Sequence, residues 1–292
     1  MRGMLAGYLF QTKVIYWKHK LKIFFMHKQS GMRDYVVSIL IAAALSAVLG
    51  AYLLFRRGYF FDAPPTADML FVPNKVLAGA GMTLLAFTFL IGPIARYFDS
   101  FDHLLNYRKE IGIVGGFLAV FHAIVSYFFL PLKFPQARFT FDNLPFVAGL
   151  IGVFLLVFLY VISFKKIIEM MDGARWWFLQ RWGLRLVIAF TLVHVFVMKW
   201  EFWVRWVTES SGKVSPELAN PWLPGAGILV SMFIAWVVIV RLYETIFLYK
   251  DLGWKPKEIV VDETLRRRGR RFFVYSFWVL IAGYVFMLTR WV

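Results

Sequence analysis

An all-α, polytopic membrane bundle of about seven transmembrane helices is the fold class this sequence predicts, on three observations. First, 60% of its 292 residues are hydrophobic and 20% aromatic against 17% charged, with a mean hydropathy of +0.65, outside the usual soluble range. Second, its apolar runs reach the ~20 residues a helix needs to cross ~30 Å of hydrocarbon, whereas an outer-membrane barrel shows ~10-residue alternating segments. Third, Lys and Arg gather between those runs, where they set topology. The net charge of +16 is therefore read as span-flanking residues beside membrane lipid, and no nucleic-acid partner is expected. The chain has no cysteine, which excludes disulfides, thiolate zinc sites and cysteine-ligated iron–sulfur clusters.

Residues 1–34 mix Tyr, Trp and Phe with seven Lys/Arg and are read as a basic interfacial segment, without a removed signal peptide. His19 and His27 fall there and are read as solvated interfacial residues. The bundle is expected over 35–292, with spans at about 35–55, 75–95, 111–130, 146–164, 184–203, 226–248 and 272–289. Ala43, Ser46, Ala47 and Gly50 suggest a packing face on the first span. Gly92-Pro93 suggests a bend or frayed end on the second. His103, among Asp99, Asp102 and Asn106, reads as an exposed residue of a short surface helix. The stretch KKIIEMMDGARWWFLQRWGLR reads as an interfacial turn at the aromatic belt, and YKDLGWKPKEIVVDETLRRRGRR as a basic connection. No internal repeat and no second soluble domain is evident. With the N-terminus cytoplasmic, 24 of the 33 Lys/Arg fall on the cytoplasmic side, which predicts N-in, C-out.

Two histidines then stand out, His122 in the third span and His194 in the fifth. An imidazole in hydrocarbon needs a partner, so each is a functional candidate. His122 lies 13 residues after Lys109 and 11 before Lys133, and His194 lies 13 after Arg181 and 11 before Arg205. At 1.5 Å per residue both sit ~20 Å from one flanking charge and ~16 Å from the other. Two level imidazoles on helices running the same way are the arrangement a six-coordinate b-type haem requires. The alternative is that each ring bonds separately to a neighbouring carbonyl or a residue such as Ser126 and so joins helices. Gly115 and Gly116, before His122, leave room for a porphyrin or for a neighbouring helix.

At these residues the sequence resembles a family. RKEIGIVGGFLAVFHAIVSYF resembles the third helix of the ferric reductase-like transmembrane proteins, in which a basic pair, a Gly and then a His ten residues later recur, here Arg108-Lys109, Gly112 and His122. WWFLQRWGLRLVIAFTLVHVFVMKW is similar to that family's W-x-x-L-H-R-L…H helix, here Trp176/Trp177, Leu179, Arg181 and His194. The resemblance covers about residues 75–250 and implies a haem-binding electron-transfer bundle. Members commonly hold two haems, by His pairs about 13 residues apart on each helix. Here Gln180 stands 14 residues before His194 where the inner His would be, and no second His accompanies His122. The resemblance thus implies one haem b, His122 and His194 being its axial ligands. It places the chain nearer the haem subunit serving periplasmic methionine sulfoxide reductase than the two-haem oxidases.

The cytoplasmic end offers Arg96, Arg108, Lys109, Trp176, Trp177, Gln180, Arg181 and Arg185, a set that can bind a quinone or a flavin phosphate or can simply form a topology-setting basic belt. No G-x-G-x-x-G or P-loop appears, so the expected activity is that of an oxidoreductase subunit without its own NAD(P)H domain. Electrons would come from a cytoplasmic flavoprotein or membrane quinol and leave to an outward-facing acceptor. A redox partner protein or complex subunits are implied, with the 250–271 loop and the N-terminal tail as docking surfaces, and the expected location is a bacterial inner membrane. The competing function is a non-redox structural or transport subunit using the same bundle, with the two His as hydrogen-bonding groups or a proton relay.

Overall fold

The structure, a computed structural model, describes residues 32–61, 70–132, 136–209, 223–248 and 263–290. The interfacial reading of residues 1–31, with His19 and His27, and residues 250–262 of the 250–271 docking loop lie outside the described residues. The described chain is helical throughout, and seven of its helices are long and apolar enough to cross a membrane. They are α1 (Met32–Phe61), α2 (Phe71–Tyr97), α3 (Arg108–Phe129), α4 (Leu144–Val161), α6 (Gly173–Thr208), α7 (Ala226–Tyr243) and α8 (Glu263–Thr289). A short α5 (Lys165–Met170) links α4 to α6, and a 3-10 segment, Asp99–Asn106, links α2 to α3.

Helix α2 is the axle of the bundle. It packs against α1, α3, α7 and α8, and Ala80, Ala86 and Ile91 are wholly buried. Its small residues make that possible, because lipid supplies little hydrophobic drive between helices and close backbone approach must take its place. A Cβ at Gly81 would stand 2.9 Å from both Gly115 O and Ala119 N of α3. One at Gly115 would stand 2.7 Å from Leu84 Cβ and 3.1 Å from Gly81 O. The two glycines therefore set the α2–α3 crossing backbone to backbone. Gly115→Val should lower stability by about 1–3 kcal/mol through overpacking. The exposed Ala47→Val should be close to neutral, and thermal unfolding in detergent would compare the two.

Three sequence expectations are corrected here. Helix α1 does not pack through Ala43 and Ala47, which are exposed; its buried stripe is Asp34, Ser38, Ala42 and Leu53. Ser38 donates to the Asp34 carbonyl at 2.9 Å, so a hydroxyl that satisfies itself within the helix can face the core. Gly92-Pro93 does not end α2, which runs on to Tyr97 with Pro93 buried inside it. The aromatic and basic stretches around 173–183 and 263–271 are not a turn and a connection but the opening turns of α6 and α8. Asp172 caps α6 by accepting from Arg175 N at 3.2 Å, and no proline interrupts its 36 residues. At 1.5 Å per residue that helix exceeds the ~30 Å hydrocarbon, so its tryptophan-rich ends emerge at both interfaces.

The Arg-rich opening of α8 is anchored on the corner after α2. Arg270 donates to the Tyr97 carbonyl through Nε at 3.0 Å and a second nitrogen at 2.9 Å, and Arg266 pairs with Asp99. His103 bonds locally, Nδ1 to Ser100 O at 3.0 Å, on an exposed position.

Candidate functional site

Two polar constellations interrupt the apolar bundle, one towards each end. The first contains both intramembrane histidines. His122 sits on α3 with its Nδ1 2.9 Å from Asn74 Oδ1 and 3.1 Å from the Asn74 carbonyl. Asn74 belongs to the first turn of α2, and its Nδ2 donates to Ser126 Oγ at 3.0 Å. His194 sits on α6 with its Nδ1 2.6 Å from the carbonyl of Pro145, in the first turn of α4. A carbonyl oxygen only accepts, so both rings carry their proton on Nδ1. Each therefore keeps the Nε2 lone pair for another partner, the tautomer that a metal-binding histidine needs.

Local sequence explains why the rings stand where they do. A Cβ at Gly149 of α4 would come within 2.9 Å of His194 Nδ1 and 3.2 Å of its Cε1, so the imidazole lies directly on the α4 backbone where that glycine clears space. Gly152 on α4 and Gly183 on α6, the latter under Leu159, continue the same close crossing. Among the described residues α3 packs along α2 and α6 along α4, while α3 and α6 do not pack closely on each other. The arrangement is thus two rings, each locked from behind by a carbonyl, on helices held apart by their own partners.

The glycines before His122 serve other ends. Gly115 is filled by α2, as described, and Gly116 by Tyr160, whose hydroxyl bonds to the Ile113 carbonyl. Both are buried, and the room they leave is taken by protein.

The second constellation lies at the opposite ends of these helices, about 13 residues from His194 along α6. The π turn Glu244–Leu248 at the end of α7 directs Glu244, 2% exposed, into the bundle. Arg96 pairs with it, Nε to Oε1 at 2.7 Å, and Arg241 pairs with its other oxygen. Arg241 also stands over the Phe89 ring at 4.6 Å. Gly92 makes room for both guanidinium groups: a Cβ there would meet Arg96 at 3.3 Å and Arg241 at 3.7 Å. Arg108 donates to the Thr88 carbonyl at 3.1 Å, and Arg185 contacts Thr245 Oγ1 at 3.4 Å. Arg181 and Arg185 lie over Trp177 and Trp182, each 4.7 Å from the ring centroid.

The structure thus brings together Arg96, Arg108, Arg181 and Arg185 of the predicted set, and adds Arg241, Glu244 and Thr245. It separates Gln180 and Trp176 from a common task with them. Gln180 donates to Ser163 Oγ at 2.7 Å and Leu159 O at 3.2 Å, and Trp176 to Ile162 O at 3.0 Å, so both fasten α6 to the end of α4. Lys109 is exposed. Sequence reasoning missed Asn74, Gly149, Arg241 and Glu244. Only the asparagine and the glutamate carried a legible signal, as polar groups inside or closing an apolar run.

Comparison with known families bears on this arrangement directly. Residues 77–184 match the family model described as the ferric reductase like transmembrane component. The match takes in most of α2, all of α3 with His122, all of α4 and the opening of α6, and stops before His194. Residues 77–184 are thus similar to the ferric reductase-like transmembrane component, the family that the landmarks of the third and fifth spans resemble.

Proposed function

We propose that this chain is a membrane electron-transfer subunit that holds one b-type haem between His122 and His194. The observation that carries the reading is the matched tautomer of two rings on separated helices, each with Nδ1–H donated to a carbonyl. When bound, the haem supplies a one-electron carrier cycling between ferric and ferrous iron. The protein's part is to present two Nε2 lone pairs, to keep the rings from rotating through Asn74 and Pro145, and to surround the site with hydrocarbon side chains that exclude water. A single pair of ligands, with Gln180 occupied by α4, supports one haem rather than two.

The arginine constellation supports a second part of the proposal. Four or more guanidinium groups with tryptophan faces at one end of the bundle suit the phosphate of a flavin that would relay electrons from a cytoplasmic donor, or the head group of a membrane quinol that would itself deliver them on oxidation to the quinone. Arg108, Arg181 and Arg185 are the residues we assign to that contact. On the N-in orientation this end faces the cytoplasm and the histidines lie towards the exterior, so the subunit passes electrons outward to an acceptor or partner. A redox partner on the periplasmic side of a bacterial inner membrane, as for the haem subunit of methionine sulfoxide reductase, fits this direction.

A non-redox reading is favoured by one observation, that each ring already joins two helices by a hydrogen bond. An optical spectrum decides between them. Protein purified in detergent should show a b-type reduced-minus-oxidised difference spectrum and one extractable haem per chain. Folded, colourless protein after expression with adequate haem supply would overturn the proposal.

A further inference from the structure

The two histidines are held unequally. His194 rests on a main-chain carbonyl, which no side-chain substitution removes. His122 rests on Asn74, through a side-chain amide as well as its carbonyl. Asn74 is 3% exposed, and an amide buried in an apolar helix is costly unless both its ends are satisfied. Here they are, since Oδ1 faces His122 Nδ1 and Nδ2 faces Ser126 Oγ, one turn further along α3. Flipping the amide would set its NH2 against the Nδ1 proton, so Ser126 and His122 together fix its orientation.

We propose that Asn74 is a positioning residue whose side-chain amide oxygen adds a second acceptor to the Nδ1–H of His122, raises the donor strength of the ring and, resting on the haem reading above, tunes the reduction potential of the iron. Hydrogen bonding from Nδ1–H to the amide oxygen makes Nε2 a more basic ligand, which favours the ferric state. Ser126 holds the amide oxygen on the ring, and its Oγ also stands 3.4 Å from Nδ1 itself. The contribution is that of the amide oxygen alone, because the Asn74 main-chain carbonyl, 3.1 Å from Nδ1, stays with His122 in any side-chain variant just as the Pro145 carbonyl stays with His194.

The test uses the full-length, haem-loaded protein. Asn74→Leu removes the amide and keeps much of its volume, Ser126→Ala removes the clamp together with the long Oγ contact to Nδ1, and Thr83→Ala, a hydroxyl bonded within α2 to Gly79 O at 2.7 Å, is the control. Equilibrium redox titration should show the midpoint potential raised in Asn74→Leu, raised less in Ser126→Ala and unchanged in Thr83→Ala. The low-spin ferric electron paramagnetic resonance signal should shift in the same order. Loss of such partners weakens metal binding about 10–100-fold, so haem transfer from Asn74→Leu to an apoprotein acceptor should be faster by about that factor. If Asn74→Leu does not fold, Ser126→Ala carries the same comparison. Variants that keep haem with an unaltered potential and ferric signal would overturn this inference alone, whereas a native protein without haem would overturn the proposed function and this inference with it.

Discussion

Replacing either His122 or His194 by Ala is expected to lower the haem content of the purified protein by more than about tenfold, with the fold retained. The lower bound follows from comparison, since loss of an outer-shell partner alone weakens metal binding about 10–100-fold and loss of the ligand itself removes a bond to the iron. Retention of the fold follows from the packing. Neither ring belongs to the fully buried core, which is built on α2, Val187, Ile188, Val237 and Val240. The two variants should also differ. His194→Ala leaves the Pro145 carbonyl and the space over Gly149, which external imidazole can re-enter, whereas His122→Ala leaves Asn74 able to turn its amide elsewhere. Imidazole should therefore restore the difference spectrum more completely in His194→Ala. Full haem occupancy in both single variants would remove these residues from the role of axial ligands.

The largest effect on stability is expected at the other end of the bundle. Glu244→Ala should destabilise the protein by about 3–5 kcal/mol, because removing one member of a buried ion pair leaves its partners desolvated without compensation. Its side chain is 3% exposed and serves two guanidinium groups, those of Arg96 and Arg241. Glu244→Gln keeps the volume and one acceptor, and should lose less. Thermal unfolding in detergent, followed by tryptophan fluorescence, would rank the two. Equal, small losses would show that water or lipid head groups reach the cluster and replace the carboxylate.

How far the sequence could be read depended on whether a feature was local. Seven apolar runs of spanning length were legible because each helix satisfies its own backbone, so hydropathy alone finds it. The histidines were legible for the same reason, as lone polar groups in such runs with equal offsets to flanking charges. The polar and aromatic openings of α6 and α8 were misread as a turn and a basic connection because hydropathy marks where lipid begins, not where the helix does. Which face of α1 is buried was misread because small residues recur on more than one face, and only the neighbour selects among them.

By itself, then, the sequence determined the membrane bundle, the number of its spans, the family resemblance and the two candidate ligands, all properties of single helices. The tertiary structure alone decided that Asn74 and Pro145 stand behind the rings, that Gly149 lets His194 lie on α4, that Gly115 and Gly116 serve packing, and that Arg241 and Glu244 complete the arginine cluster. Those are pairings between different helices, such as His122 with Asn74, 48 residues apart, or Arg96 of α2 with Glu244 at the end of α7. The physical reason is that a hydrogen bond or close contact between helices depends on crossing angle and register, which no single helix specifies.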